Sequence, residues 1–189
     1  MNEWKDVTNI VKKGGVVITP TDTLYGILGS ALNKKTVERI YKVRGRDKDK
    51  PCIVLISSYK DLDKFKVALK KDQKQFLDSV WPGKVSVILP VKSAKWKYLH
   101  RGKASIAFRM IGQRNKNLFN LINKVGPLVA PSANPQGKKP ALNRREARKY
   151  FGKQIDAYIC GGTRNSPPST LIELKDGKWV VLRQGAVKI

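Results

Sequence analysis

The stretch Val16-Val17-Ile18-Thr19-Pro20-Thr21-Asp22-Thr23-Leu24-Tyr25-Gly26 holds the key to the architecture. Its apolar first half reads as a buried strand over 16–19. Proline then removes a ladder donor, and two hydroxyls, a carboxylate and a phenol follow within five residues. Strand ends in α/β proteins are where ligands are commonly met, so the cluster reads as a small-molecule site. It reads equally as a capped turn, since Thr and Asp cap helices well and Leu24 and Tyr25 suit a core.

Working outward, apolar residues recur at helical spacing over 4–13, where Trp4, Val7, Ile10 and Val11 precede Gly14-Gly15. Asn33 can cap a helix over 34–43 whose inner face is Val37, Ile40 and Tyr41. Strands are predicted at 52–56, 85–91, 104–109, 128–130, 156–160, 169–174 and 179–183. Helices are predicted at 59–68, 71–80, 115–125 and 143–151. No linker-like segment divides the chain and no repeat occurs. The expectation is therefore one α/β domain over 1–189 with a mixed sheet, in an order too irregular for a regular doubly wound fold.

The composition narrows the partners. Within 189 residues, 39 Lys plus Arg oppose 14 Asp plus Glu, a net charge of +25. Such a field attracts polyanions, above all nucleic acids and nucleotides, although a general lysine bias would produce the same total. An apolar fraction of 41% argues for a packed core. Cys52 and Cys160 stand far apart and His100 is the single histidine, so a zinc site is not expected. With no signal-like segment and no apolar run near 18 residues, the expectation is a soluble cytoplasmic protein with reduced thiols and no membrane contact.

Three more segments carry candidate chemistry. Arg44-Gly45-Arg46 with Lys50 lies between a helix and a strand. Guanidinium groups bind phosphate bidentately, and the intervening glycine would let backbone approach an anion; alternatively these are helix-terminal cations facing solvent. Pro131-Ser132-Ala133-Asn134-Pro135 offers neutral donors and acceptors in a rigid turn, or simply a turn fixed by proline. Ser169-Thr170 opens an apolar strand, with Arg183 following in Leu182-Arg183-Gln184-Gly185. Neither a P-loop nor a Gly-x-Gly-x-x-Gly turn is present, so a bound nucleotide would rely on scattered cations, hydroxyls and backbone groups.

Taken as an ordered set, these motifs, with Trp81-Pro82-Gly83 and Phe108-Arg109, resemble the YrdC/Sua5 family from about residue 7 to residue 187. The resemblance implies a twisted mixed sheet of the YrdC/RibB-like α/β type, with flanking helices around a deep basic cavity. It also implies a short YrdC-like form without the C-terminal Sua5 domain. The implied activity is threonylcarbamoyl-AMP synthesis from L-threonine, bicarbonate or CO2, and ATP, for modification of adenosine 37 in tRNA. By the same resemblance Thr21, Thr23, Tyr25, Arg109, Ser169 and Thr170 would hold threonine. Arg44, Arg46, Ser132 and Asn134 would be catalytic and, with Lys50, Ser86 and Arg183, bind the nucleotide. Asp22 is left as a structural cap. Mg²⁺ is expected to be carried with ATP rather than held by a resident metal site. Implied partners are tRNA, through the basic surface, and a downstream threonylcarbamoyl-transferring complex.

Two departures from the family pattern are visible. Arg44 stands where a lysine is usual, and Lys84-Val85-Ser86 follows Trp81-Pro82-Gly83 where Pro-Leu-Thr is common. Two rivals remain open. One is a non-catalytic basic RNA-binding module, for which the charge speaks but aromatic interleaving does not. The other is a RibB-like sugar-phosphate enzyme, which would want acidic metal ligands and histidine.

Overall fold

In chain order the protein forms α1 (Glu3–Lys12), β1 (Val17–Pro20), β2 (Tyr25–Ser30), α2 (Lys34–Arg44), β3 (Val54–Ile56), α3 (Lys60–Asp63) and α4 (Lys71–Val80). There follow β4 (Val85–Pro90), α5 (Lys97–His100), β5 (Ser105–Met110), α6 (Lys116–Val125), β6 (Leu128–Val129), α7 (Arg144–Phe151), β7 (Ala157–Tyr158), β8 (Thr170–Lys175) and β9 (Lys178–Arg183). The computed structural model describes residues 3–175 and 178–189.

The strands form one mixed sheet in the order β7-β1-β2-β6-β3-β5-β4-β8-β9. Strands β1 and β2 are an antiparallel hairpin, while β3 runs parallel to β5 and β4 parallel to β8. The period of two along each strand divides the core between two faces. Ile18, Ile27, Val54, Ile56 and Val129 pack on one face with Val37, Ile40 and Tyr41 of α2. Val17, Leu28, Leu55 and Leu128 point the other way, beneath Val7 and Val11 of α1 and Leu118, Leu121 and Ile122 of α6. Each such large apolar side chain contributes about 1.5–3 kcal/mol when fully buried.

The second face continues beyond the cover of α1 and α6. Leu55 pairs with Arg109 on β5, and Ile88 on β4 pairs with Ala107 on β5 and with Glu173 on β8. Of these, Arg109, Ile88, Ala107 and Glu173 form the floor of a cavity instead of a packing surface.

The cap expected at Asn33 is present. Asn33 Oδ1 accepts from the Thr36 N–H at 3.2 Å and starts α2. Gly45, left-handed at φ 58°, stops it, with the Gly45 N–H bonded to Lys42 and the Arg46 N–H to Tyr41. Gly45 thus ends a helix; the close anion approach suggested for it is not needed to explain it.

Two elements differ from the sequence reading. The hairpin strand β2 was not expected, because Tyr25-Gly26-Ile27-Leu28-Gly29-Ser30 neither alternates nor avoids glycine. It is nevertheless central, bonded to β1 on one side and β6 on the other. The helix expected over 59–68 is only four residues long. Lys66 takes a left-handed φ of 57°, and the chain turns so that Phe65 and Val67 both reach the core.

Candidate active site

The β1–β2 connection, the turn at Pro131–Ser132 and the floor of β4, β5 and β8 enclose a cavity of about 880 Å³. Its described wall carries five cations, Arg44, Arg46, Lys103, Arg109 and Arg183, against one acid, Glu173. A basic cavity is therefore present, as the sequence led us to expect.

Thr21, Thr23 and Tyr25 line one end. The Thr21 hydroxyl donates to the Leu24 carbonyl at 2.7 Å and accepts from the Thr23 N–H at 3.2 Å, which closes the turn between the two strands. The Tyr25 phenol donates to the Gly162 carbonyl and accepts from the Gly161 N–H, both at 2.9 Å. It ties the hairpin to the 159–163 loop, and burial, the largest influence, holds its pKa above the ordinary value. Thr23 Oγ1 accepts from Arg109 Nη1 at 3.4 Å.

Arg109 is the buried cation of this end. Asp22 Oδ1 lies 3.1 Å from its Nη2 but off the N–H direction, so the contact is an ion pair without a hydrogen bond. Asp22 caps no helix; it neutralises Arg109. Arg109 Nε has no partner among the described residues. Burial draws the Arg109 pKa down, and Asp22 opposes that. Arg183 donates through Nη2 to the Ser169 carbonyl at 2.8 Å, and its pKa is lowered first by burial and then by Arg109. Ser169 and Ser86 share a buried hydroxyl–hydroxyl bond of 2.8 Å.

Arg44 and Arg46 form a second cationic group on the wall. Arg44 Nε donates to the Asn134 carbonyl at 2.9 Å, and its Nη2 reaches Asn134 Oδ1 at 3.3 Å and Ser132 Oγ at 3.4 Å. Its Nη1 is buried and unpartnered among the described residues. Burial, then repulsion from Arg46, pushes its pKa down to about 10, which leaves it charged at neutral pH. Arg46 donates to the carbonyls of Lys50 at 3.0 Å and Pro51 at 2.7 Å.

Of the residues singled out from sequence, nine line the cavity: Thr21, Thr23, Tyr25, Arg44, Arg46, Arg109, Ser132, Ser169 and Arg183. Four do not. Ser86 lies behind Ser169. The Thr170 hydroxyl donates to the Val187 carbonyl and accepts from the Gly185 and Val187 N–H groups, so it fastens the C-terminal loop. The Asn134 amide donates to the carbonyls of Pro135 and Lys138. Lys50 contributes its backbone carbonyl, while its ammonium points away to Asp47 at 3.5 Å.

Cavity residues missed from sequence include Lys103, Glu173 and Cys52. A signal for Glu173 existed, because Ser169, Leu171 and Glu173 share parity on one strand, as do Ser105, Ala107 and Arg109. Among the described residues no cluster of three or more His, Cys, Asp or Glu could hold a metal, and no helix is long and apolar enough to cross a membrane.

The mixed nine-stranded sheet thus carries a cation-lined cavity. The family model for Sua5, YciO and YrdC proteins, described as telomere recombination, matches residues 9–185, and the chain belongs to that family. Within it, the chain is 31% identical over 194 residues to the threonylcarbamoyl-AMP synthase of Pyrococcus abyssi, covering 100% of this chain and 56% of that protein. It is 28% identical over 179 residues to a putative threonylcarbamoyl-AMP synthase of Mycobacterium tuberculosis, covering 94% of this chain and 81% of that one. The crystal structure of P. abyssi Sua5 complexed with L-threonine superposes with a TM-score of 0.88 at 29% identity, over 98% of this chain and 55% of that one. The chain thus spans little more than half the length of the Pyrococcus relative.

Proposed function

We propose that the protein is an L-threonylcarbamoyladenylate synthase. It would join L-threonine, bicarbonate or CO2, and ATP into threonylcarbamoyl-AMP and pyrophosphate, for N6-threonylcarbamoylation of adenosine 37 in tRNA. The observation that carries this reading is the polarity of the cavity. A buried arginine in contact with Thr23 and Asp22 shares the wall with a second group, Arg44 and Arg46 beside Ser132. The P. abyssi protein with which the chain superposes is complexed with L-threonine.

The reaction needs positioning more than proton transfer. The threonine amine adds to CO2, a carbamate oxygen attacks the α-phosphorus in line, and the bond to pyrophosphate breaks as negative charge gathers on the phosphoryl oxygens. Arg109 would hold the threonine carboxylate, with Thr21, Thr23, Tyr25 and Ser169 shaping that pocket. The unpartnered Nη1 of Arg44 is a preorganised donor for a phosphate or carbamate oxygen, and Arg46, Ser132 and Arg183 would share the charge. One such donor contributes about 3 kcal/mol to a transition state. Ser86, Asn134 and Thr170 would act through the wall residues and loops they brace, and Lys50 through its carbonyl. Glu173 is the one carboxylate on the described wall, which fits Mg²⁺ arriving on ATP, where it neutralises phosphate charge. The exposed Arg144, Arg145, Arg148 and Lys149 of α7 are the surface proposed for tRNA.

The test is to incubate the protein with ATP, Mg²⁺, bicarbonate and threonine and to follow pyrophosphate. Threonine-dependent release is expected, and its absence from folded protein would sink the proposal. Arg109→Ala should weaken threonine binding more than ATP binding; the opposite order would reverse the assignment of the two groups.

A further inference from the structure

Glu173 is out of place in a cavity built for a polyanion. A carboxylate there repels phosphate and so must face a part of the ligand that donates hydrogen bonds. We infer that Glu173 is a specificity-determining residue that accepts hydrogen bonds from the ribose hydroxyls of the nucleotide. The inference rests on the synthase reading above and assigns the part of the cavity which that reading left without a role.

The sheet register locates it. Ala107, Ile88 and Glu173 lie side by side across β5, β4 and β8. Arg109 and Leu171 lie two residues further along their strands, a step of about 7 Å, and Leu171 pairs with Arg183. With the amino-acid carboxylate at Arg109 and the phosphates at Arg44 and Arg46, the nucleoside is left with the floor that carries Ile88, Ala107, Leu171 and Glu173. The three apolar side chains offer a surface for the faces of sugar and base, and Glu173 is the acceptor at its edge. Its other contact is Lys175 at 3.3 Å, a largely solvent-exposed partner, so the carboxylate is available to a ligand.

Two alternatives fit less well. Set against the threonine amine, a carboxylate would favour the ammonium form and oppose addition to CO2. Set against an exocyclic amine of the base, it would use one oxygen. A cis-diol presents two donors to its two acceptors, the mode by which an acidic residue reads a ribose in dinucleotide-binding folds.

The experiment measures binding without turnover. The affinities of the wild type and Glu173→Ala for ATP, 2′-deoxy-ATP, 3′-deoxy-ATP and purine riboside triphosphate, which lacks the 6-amino group, are compared by calorimetry in the absence of threonine. The wild type should prefer ATP to each deoxy analogue by about tenfold or more, the scale of a lost hydrogen bond to a charged group. The variant should bind ATP and the deoxy analogues within about twofold of one another. Equal weakening of ribo- and deoxynucleotides by the substitution would overturn the inference. So would loss of discrimination against purine riboside triphosphate alone, which would move Glu173 to the base. Ribose-dependent binding without threonine-dependent turnover would overturn the synthase reading and leave this one standing. No ATP binding by the wild type would end both.

Discussion

Removing the Asp22 carboxylate should strand a buried charge. Arg109 and Asp22 are 3.1 Å apart, with side chains only 5% and 16% exposed. Their gross attraction at an effective dielectric near 20 is about 5 kcal/mol. Losing one partner of a buried pair costs about 3–5 kcal/mol, since the remaining ion is neither solvated nor compensated. The lower end is the better expectation here, because Asp22 also borders a second cavity through which water can reach the pair. At about 2–4 °C per kcal/mol for a chain of this length, Asp22→Ala should lower the Tm by roughly 6–12 °C. Thermal and urea unfolding measure this, and the double variant Asp22→Ala/Arg109→Met provides the control. Without the stranded cation, the double variant should be more stable than Asp22→Ala alone. The reasoning is refuted if Asp22→Ala costs less than about 1 kcal/mol, or if the two substitutions simply add.

The remaining predictions follow from the same contacts. Arg44→Lys keeps the charge but loses the Nε and Nη2 bonds to Asn134 and Ser132. It should cost about 1.5–3 kcal/mol and speed hydrogen exchange in the 132–134 turn; unchanged exchange would refute that bracing role. Tyr25→Phe leaves the Gly161 N–H and Gly162 carbonyl without their shared partner, so urea unfolding should show a loss of about 1–3 kcal/mol. Burial pushes the Tyr41 pKa up to about 12. The folded protein therefore keeps a proton that the unfolded chain releases near pH 10. Stability linked to Tyr41 should be complete below pH 10 and lost as the pH rises towards 12, and Tyr41→Phe should flatten that part of the profile. Absorbance titration near 295 nm in the two proteins would detect the missing late phenolate.

Much of the site was legible because its residues lie in short runs beside strand ends. Pro20–Gly26, Arg44–Arg46 and Pro131–Asn134 each bring polar groups together locally, and such a run keeps its chemistry wherever the chain places it. Most helices were legible for a similar reason, since apolar residues recur at helical spacing within each and Asn33 caps α2 from three residues away. Strand β2 was not, because its stability comes from β1 and β6 on either side and not from its own pattern.

Sequence by itself therefore determined the α/β class, the family motifs and the excess of cations. Tertiary structure decided which of those groups face the cavity. It turned the Asn134 amide to its own loop, gave Thr170 to the C-terminal loop, placed Ser86 behind Ser169 and set Asp22 against Arg109. The physical reason is range. Caps and turns are satisfied within a few residues, whereas a buried charge or hydroxyl takes whichever partner the fold brings near, here as far as 137 residues along the chain from the Tyr25 hydroxyl to the Gly162 carbonyl.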